Sequence, residues 1–234
     1  MSHIKKIIHV LFAMSGILID KLNYIRVMQV MVIAMIFLFY KTVLSYTDFR
    51  IALSFFIFAW AVRYIFLFTS FIKGGVAERL KTRFGEEKGF EIYQFFTAIM
   101  FFQSTLSFSL LVDKSSLMNL WILRSYQDIL IAAGIMISAI GMLVNIWSAL
   151  IIGIDVYYYK DLFVGRPVSE FKKEGPYKVI SNPMYAIGQA GGYGTALMFG
   201  SFAGLAGIFL NQVLMYIFYY TVEKPHVIKF FGES

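Results

Sequence analysis

The chain has 234 residues, 59% of them hydrophobic and only 15% charged, with a mean hydropathy of +0.70. Soluble domains are about 45–50% apolar, so this composition excludes a water-solvated globular fold and points to a chain solvated by lipid. The net charge of +7 forms no basic stripe on a soluble fold, which argues against a nucleic-acid partner. The lack of cysteine removes disulfides, thiolate metal sites and cysteine nucleophiles together.

A transmembrane helix needs about 20 mostly apolar residues. Residues 4–19 form a shorter apolar stretch carrying Lys5, Lys6 and His9, and read as an interfacial helix. Four spans follow, over 27–47, 51–72, 92–112 and 128–154. Between the second and third, GGVAERLKTRFGEEKGFE is charged in mixed sign and reads as a solvated helix. A fifth apolar block, 186–222, is far longer than a bilayer is thick at about 1.5 Å per residue. It is expected to fold as a hairpin of two short helices turning near Gly200 and Ser201, with Gly188, Gly192, Gly200 and Gly204 at close-packing spacing. Pro225 then restarts the chain as a short amphipathic interfacial helix containing Val227, Ile228, Phe230 and Phe231. The expected fold is therefore all-α, a polytopic membrane bundle of about six transmembrane helices whose last two form a Gly-rich hairpin. The chain divides into an N-terminal part, 1–127, and a core, 128–234.

Basic residues alternate between the loops. Four precede the first span, five lie in 73–90 and five between Asp155 and Pro183, against two each in 41–50 and 113–127. The positive-inside rule then places both termini in the cytoplasm, with 16 of the 21 basic residues on that side. The host would be a bacterial inner membrane or the endoplasmic reticulum. Arg63 alone lies deep in a span, which marks it as a candidate for binding a lipid phosphate or another ligand's carboxylate. Gln103, Asn145, Asn211 and Gln212 read as interhelical hydrogen-bonding groups, and Tyr157, Tyr158 and Tyr159 as an aromatic interface belt.

His3, His9 and His226 are far apart with no ligand spacing, so no metal centre is expected. No P-loop is present. Carboxylates, hydroxyls, amides and backbone remain for chemistry, and they concentrate in EGPYKVISNPMYAIGQAGGYG, residues 174–194. Pro176 and Pro183 break helical pairing there. Irregular backbone at a membrane surface is tolerated only under protein or beside an aqueous cavity, where its free amides can bind a polar ligand. Gly188, Gly191, Gly192 and Gly194 remove side chains just beyond, letting a backbone or a flat ligand approach. The hairpin returns Glu223 to the same membrane face.

GPYKVISNPMY, followed about 40 residues later by VEKPHVIKFFG, resembles the paired signature of the integral-membrane methyltransferases that include phosphatidylethanolamine N-methyltransferases and isoprenylcysteine carboxyl methyltransferases. The Asn-Pro-Met-Tyr form and the proline after the acidic position are closer to the phospholipid branch. GIDVYYYKDLFVG upstream is similar to that branch through Gly153, Ile154, Asp161 and Phe163. The resemblance covers residues 150–232. It implies S-adenosylmethionine as methyl donor and a membrane lipid as acceptor, foremost the amine headgroup of phosphatidylethanolamine or its methylated derivatives. It further implies catalytic roles for Glu223, Asn182 and Tyr185, and cofactor contacts from Gly175, Pro176, Tyr177, Pro183, Gly188 and Glu223. Two positions depart from the signature: Lys224 replaces the second acid, and a glycine follows Tyr185 by three residues rather than two. Two other readings stay open, an enzyme of this architecture acting on an isoprenoid, prenylated carboxylate or sterol-like lipid (a reductase included), and a non-catalytic transporter or scaffold.

Overall fold

A computed structural model of the chain describes residues 3–18, 23–117, 124–168 and 174–231, and among them every regular element is helical. Helix α1 is His3–Met14. Asn23 and Asp48 start the next two helices: each side chain accepts a backbone N–H three residues on, from Arg26 and Ile51, at 3.0 Å. These helices are α2, Tyr24–Thr42, and α3, Phe49–Ser70. Helix α4, Val76–Phe84, is short and charged, and Gly85, at φ +77°, turns the chain into α5, Glu86–Lys114. Helix α6, Gln127–Ile152, ends at Gly153, and two fragments follow, α7, Ile154–Tyr157, and α8, Lys160–Val164.

Residues 174–189 hold only two short 3-10 turns, Gly175–Lys178 and Ile187–Gln189, joined by bends. This is the irregular backbone that the two prolines require. Helix α9, Ala190–Met198, is only nine residues long, and α10, Phe202–Phe218, returns from a turn in which Gly200 takes φ +56° and the Ser201 hydroxyl accepts the Gly204 N–H at 2.8 Å.

Among the described residues, five helices are long and apolar enough to cross a membrane: Tyr24–Tyr46, Phe49–Ser70, Glu86–Lys114, Gln127–Ile152 and Phe202–Phe230. The expected spans and the hairpin turn fall where the sequence places them, with two corrections. The third span begins at Glu86 rather than residue 92, because the acidic run suits the positive end of a helix dipole and continues the helix outward. The last arm is not a short helix followed by a restart at Pro225. A π-helical turn, Tyr219–Glu223, carries α10 directly into α11, Lys224–Phe231, and the Lys224 N–H bonds back to the Tyr219 carbonyl. The wider turn absorbs a proline whose missing N–H would otherwise interrupt the ladder.

The helices sort their loops to two ends. At one end the Lys114 ammonium donates to the Ser45 carbonyl at 2.6 Å, the Ser115 and Ser201 hydroxyls lie 2.6 Å apart, and Ser116 donates to the Phe199 carbonyl at 2.7 Å. At the other, Arg166 pairs with Glu86 at 2.6 Å and Asn23 donates to Glu91 at 3.2 Å. The second end gathers the loops richest in Lys and Arg. Helix α1 does more than lie on a surface there: Ala13 and Leu18 are buried, Tyr158 donates to the Ala13 carbonyl at 2.6 Å, and Gln29 donates to the Gly16 carbonyl.

Helix α5 is the central post, burying Tyr93, Thr97, Ala98, Phe101, Ser104 and Phe108. The outward faces of α2, α3 and α6 expose Met31, Leu38, Phe58, Ile65, Met136 and Leu143, an exterior that only lipid can solvate.

Candidate functional site

The irregular stretch is held shape-first. Asn182 is half-buried and its side-chain oxygen accepts the Tyr185 N–H at 3.3 Å, an Asx-type turn; the Asn182 carbonyl accepts from Ala186 at 3.1 Å and the Pro183 carbonyl from Gly188 at 2.9 Å. Pro183 and Tyr185 are buried. Side chains in neighbouring helices fix the turn from outside. Asn145 of α6 donates to the Gly188 carbonyl at 2.9 Å. Gln212 of α10 donates to the Tyr185 carbonyl at 3.1 Å while accepting from the Tyr193 hydroxyl at 2.8 Å. Asn211 donates to Gln189 at 2.7 Å and accepts the Tyr64 hydroxyl at 2.7 Å. Asn145, Asn211 and Gln212 thus act as interhelical hydrogen-bonding groups, and what they fix is this turn.

The turn carries the Tyr185 hydroxyl to the Glu223 carboxylate, at 2.5 Å, within the π-helical turn of the returning arm. The Tyr159 hydroxyl lies 3.4 Å from that of Tyr185. A phenol has one proton to give, so Tyr185 donates to Glu223 and accepts from Tyr159. Burial, reinforced by the Glu223 charge, pushes the Tyr185 phenol well above its ordinary range, so it stays protonated at neutral pH. Tyr159 takes a left-handed backbone, φ +63°, the sole non-glycine with positive φ among the described residues, and such conformations concentrate at functional sites.

Tyr159 and Tyr185 face a cavity of about 340 Å³, a size typical of small-molecule sites. Its walls come from both parts of the chain: Trp60 and Arg63 from α3, Phe101 and Phe108 from α5, Asn145 from α6, and Gly191, Gly192 and Asn211 from the hairpin. A Cβ built on Gly191 would meet nothing within 4 Å, so this glycine leaves open room on the cavity wall. Glu223 stands behind Tyr185 rather than on the wall itself. Gly175, at φ +53°, packs against Trp147 and Ile151 of α6, away from the cavity, and a Cβ at Gly188 would run into Asn145. Tyr177 is half-buried; burial raises its phenol, and the Glu223 charge adds to the shift. Lys224 sits 5.3 Å over the Tyr220 ring.

Of the residues singled out from sequence, Asn182, Pro183, Tyr185, Gly188 and Glu223 converge. Arg63 lines the same cavity, whereas Gly175, Pro176 and Tyr177, in the first 3-10 turn, do not. The aromatic-belt reading of Tyr157–Tyr159 is overturned: Tyr158 is fully buried, Tyr159 nearly so, and Tyr157 lines the cavity. These tyrosines sit on a two-fragment elbow, α7 and α8, that folds back under the bundle instead of standing at its rim. The breaks around Gly153 and Gly165 were the sequence signal for that elbow. The aromatic wall from α3 and α5 had no signal beyond apolar composition.

Fold and cavity define a polytopic helical membrane protein with a polar hollow near its basic end. Residues 129–234 match the family model described as phospholipid methyltransferase. The chain is similar to proteins named phosphatidylethanolamine N-methyltransferase. The one from Candida dubliniensis is 25% identical over 71% of this chain and 20% of its own length, that from Meyerozyma guilliermondii 30% over 49% and 13%, and that from Komagataella phaffii 32% over 43% and 12%. The chain therefore spans a fifth or less of the length of these relatives. No solved structure gives a significant match.

Proposed function

We propose that this protein transfers a methyl group from S-adenosylmethionine to the amine headgroup of a membrane phospholipid, foremost phosphatidylethanolamine or its partly methylated forms. The observation that carries the reading is the Tyr185–Glu223 hydrogen bond at the edge of a small-molecule-sized cavity, inside the segment that matches the phospholipid methyltransferase family. The residues fit the donor: the open wall at Gly191 accommodates a flat ring, and Asn145 and Gln189 offer polar atoms beside it. Bound there, the donor supplies an electrophilic methyl on a sulfonium.

The residues of the chain supply positioning and proton removal. Methyl transfer is an in-line displacement, so orientation in a fixed cavity contributes most of the rate gain. The acceptor amine must be neutral to attack. Tyr185 receives the proton from the amine as its own passes to Glu223, so the phenol never carries a charge. Tyr159 orients the Tyr185 lone pairs through its own hydroxyl, 3.4 Å away. Asn182 sets the backbone from which Tyr185 projects, and Gly175, Pro176, Tyr177 and Pro183 hold the turn against α6. Gly188 admits the Asn145 side chain that ties that turn to the cavity wall.

The test is product identity. Purified protein is incubated with a total lipid extract and S-adenosylmethionine labelled on the methyl, and labelled lipids are separated and identified. Label in ethanolamine-derived headgroups supports the reading. Label confined to prenylated carboxylates or sterol-like lipids would transfer the same site to another acceptor.

A further inference from the structure

Arg63 lies on α3, seven residues before its end at Ser70, roughly 10 Å inside the helix terminus. A guanidinium at such depth is costly unless partnered. Here it makes no hydrogen bond or ion pair with any described residue, and its Nε is buried without a partner. Its protein contacts are aromatic: the guanidinium carbon lies 4.4 Å from the Phe101 ring centre and 5.5 Å from that of Tyr64. Those faces orient the group without using its donors. Among the described residues lining the cavity it is the sole side chain with a formal charge.

The cavity is therefore electrically two-ended. Arg63 marks one wall, and the Tyr185 hydroxyl backed by Glu223 marks another. Tyr159 stands between them and feels both charges. A ligand carrying one anionic group and one amine complements that arrangement, whereas an anion or a neutral amine fills half of it.

We propose that Arg63 is the anion anchor of the cavity, gripping the charged oxygens of a bound ligand while the Tyr185–Glu223 pair faces the acceptor amine. The planar fork of donors matches a phosphodiester or a carboxylate. The first comes from the phospholipid acceptor and the second from the amino-acid end of the methyl donor, so this inference rests on the proposed function and deepens it.

Two arms separate the sources, each run on the wild type, Arg63→Gln and Arg63→Lys. In the acceptor arm, methyl transfer to phosphatidylethanolamine is compared with transfer to a phosphate-free long-chain ethanolamine ether of matched length. In the donor arm, binding of S-adenosylhomocysteine is compared with that of 5′-methylthioadenosine, which lacks the amino-acid carboxylate. Loss of a charge-assisted pair corresponds to about ten- to a hundredfold in affinity. A phosphodiester anchor raises the KM for phosphatidylethanolamine by that factor in Arg63→Gln, spares kcat and the phosphate-free amine, and is partly restored in Arg63→Lys. A carboxylate anchor weakens S-adenosylhomocysteine alone.

Unchanged constants in both arms overturn the proposal while leaving the methyl-transfer reading standing. If Arg63→Gln does not fold, the wild type decides: equal use of both acceptors together with equal binding of both nucleosides overturns it. A wild type that binds no donor and methylates neither acceptor overturns the functional reading itself, and the anchor with it.

Discussion

For the proposed methyl transfer a single hydroxyl–carboxylate contact carries the chemistry, and its consequences are separable residue by residue. Tyr185→Phe keeps the ring and removes the relay; general acid–base contributions are about 10²- to 10⁴-fold, so kcat should fall by about a hundredfold or more while S-adenosylhomocysteine binding persists. Asn182→Ala removes the Asx bond to the Tyr185 N–H, a loss of about 1 kcal/mol, and should lower kcat by about tenfold with membrane insertion intact. Because burial and the Glu223 charge hold the Tyr185 phenol well above its ordinary value, its neutral, donating form persists as pH rises through the ordinary phenol range near 10. A pH–rate profile should therefore show no alkaline loss assignable to this phenol. That Asn182, Tyr185 and Glu223 would meet was legible from the sequence, since two apolar arms of a hairpin return their ends to one face. Tyr159 was not, because three consecutive tyrosines near a span end look like a belt until the elbow that buries them is seen.

Among the elements, the pairing of α6 with α9 decides whether the cavity exists. A Cβ at Gly141 would meet the Gly191 nitrogen and Ala190, and one at Gly194 would meet the Gly134 carbonyl and Ser138. Backbone cannot yield as a flexible side chain can. Gly141→Val or Gly194→Val should push the helices apart, cost about 1–3 kcal/mol or more of stability as overpacking does, and abolish donor binding; thermal unfolding in detergent together with donor titration checks both. Spans α2, α3 and α6 and the hairpin turn were readable because apolar length and glycine punctuation act locally. The π-helical turn at Tyr219–Glu223 was not. The proline at 225 signals a break to any local rule, and only the ladder seen in three dimensions shows the chain widening to pass it. That turn also places Glu223 against Tyr185, so the misread element is part of the site.

For the whole molecule, the cavity is a joint product of both parts of the chain, since Trp60, Arg63, Phe101 and Phe108 complete walls that residues 128–234 begin. The sequence division into an N-terminal part and a core marks where the family resemblance lies, and we propose that neither part binds donor alone. Residues 124–234 expressed without the preceding helices should show no donor affinity by calorimetry. Sidedness is open to equally direct measurement because the chain has no cysteine. Lys81→Cys at the basic end should react with an impermeant maleimide only from the cytoplasmic side, and the exposed Tyr46→Cys only from the other.

The most direct measurement uses purified protein reconstituted into phosphatidylethanolamine vesicles with methyl-labelled S-adenosylmethionine, wild type beside Glu223→Gln. The wild type should label the lipid amine, and the variant at least about a hundredfold less at equal donor binding. Full labelling by Glu223→Gln, or none by a wild type that binds donor, would contradict that expectation.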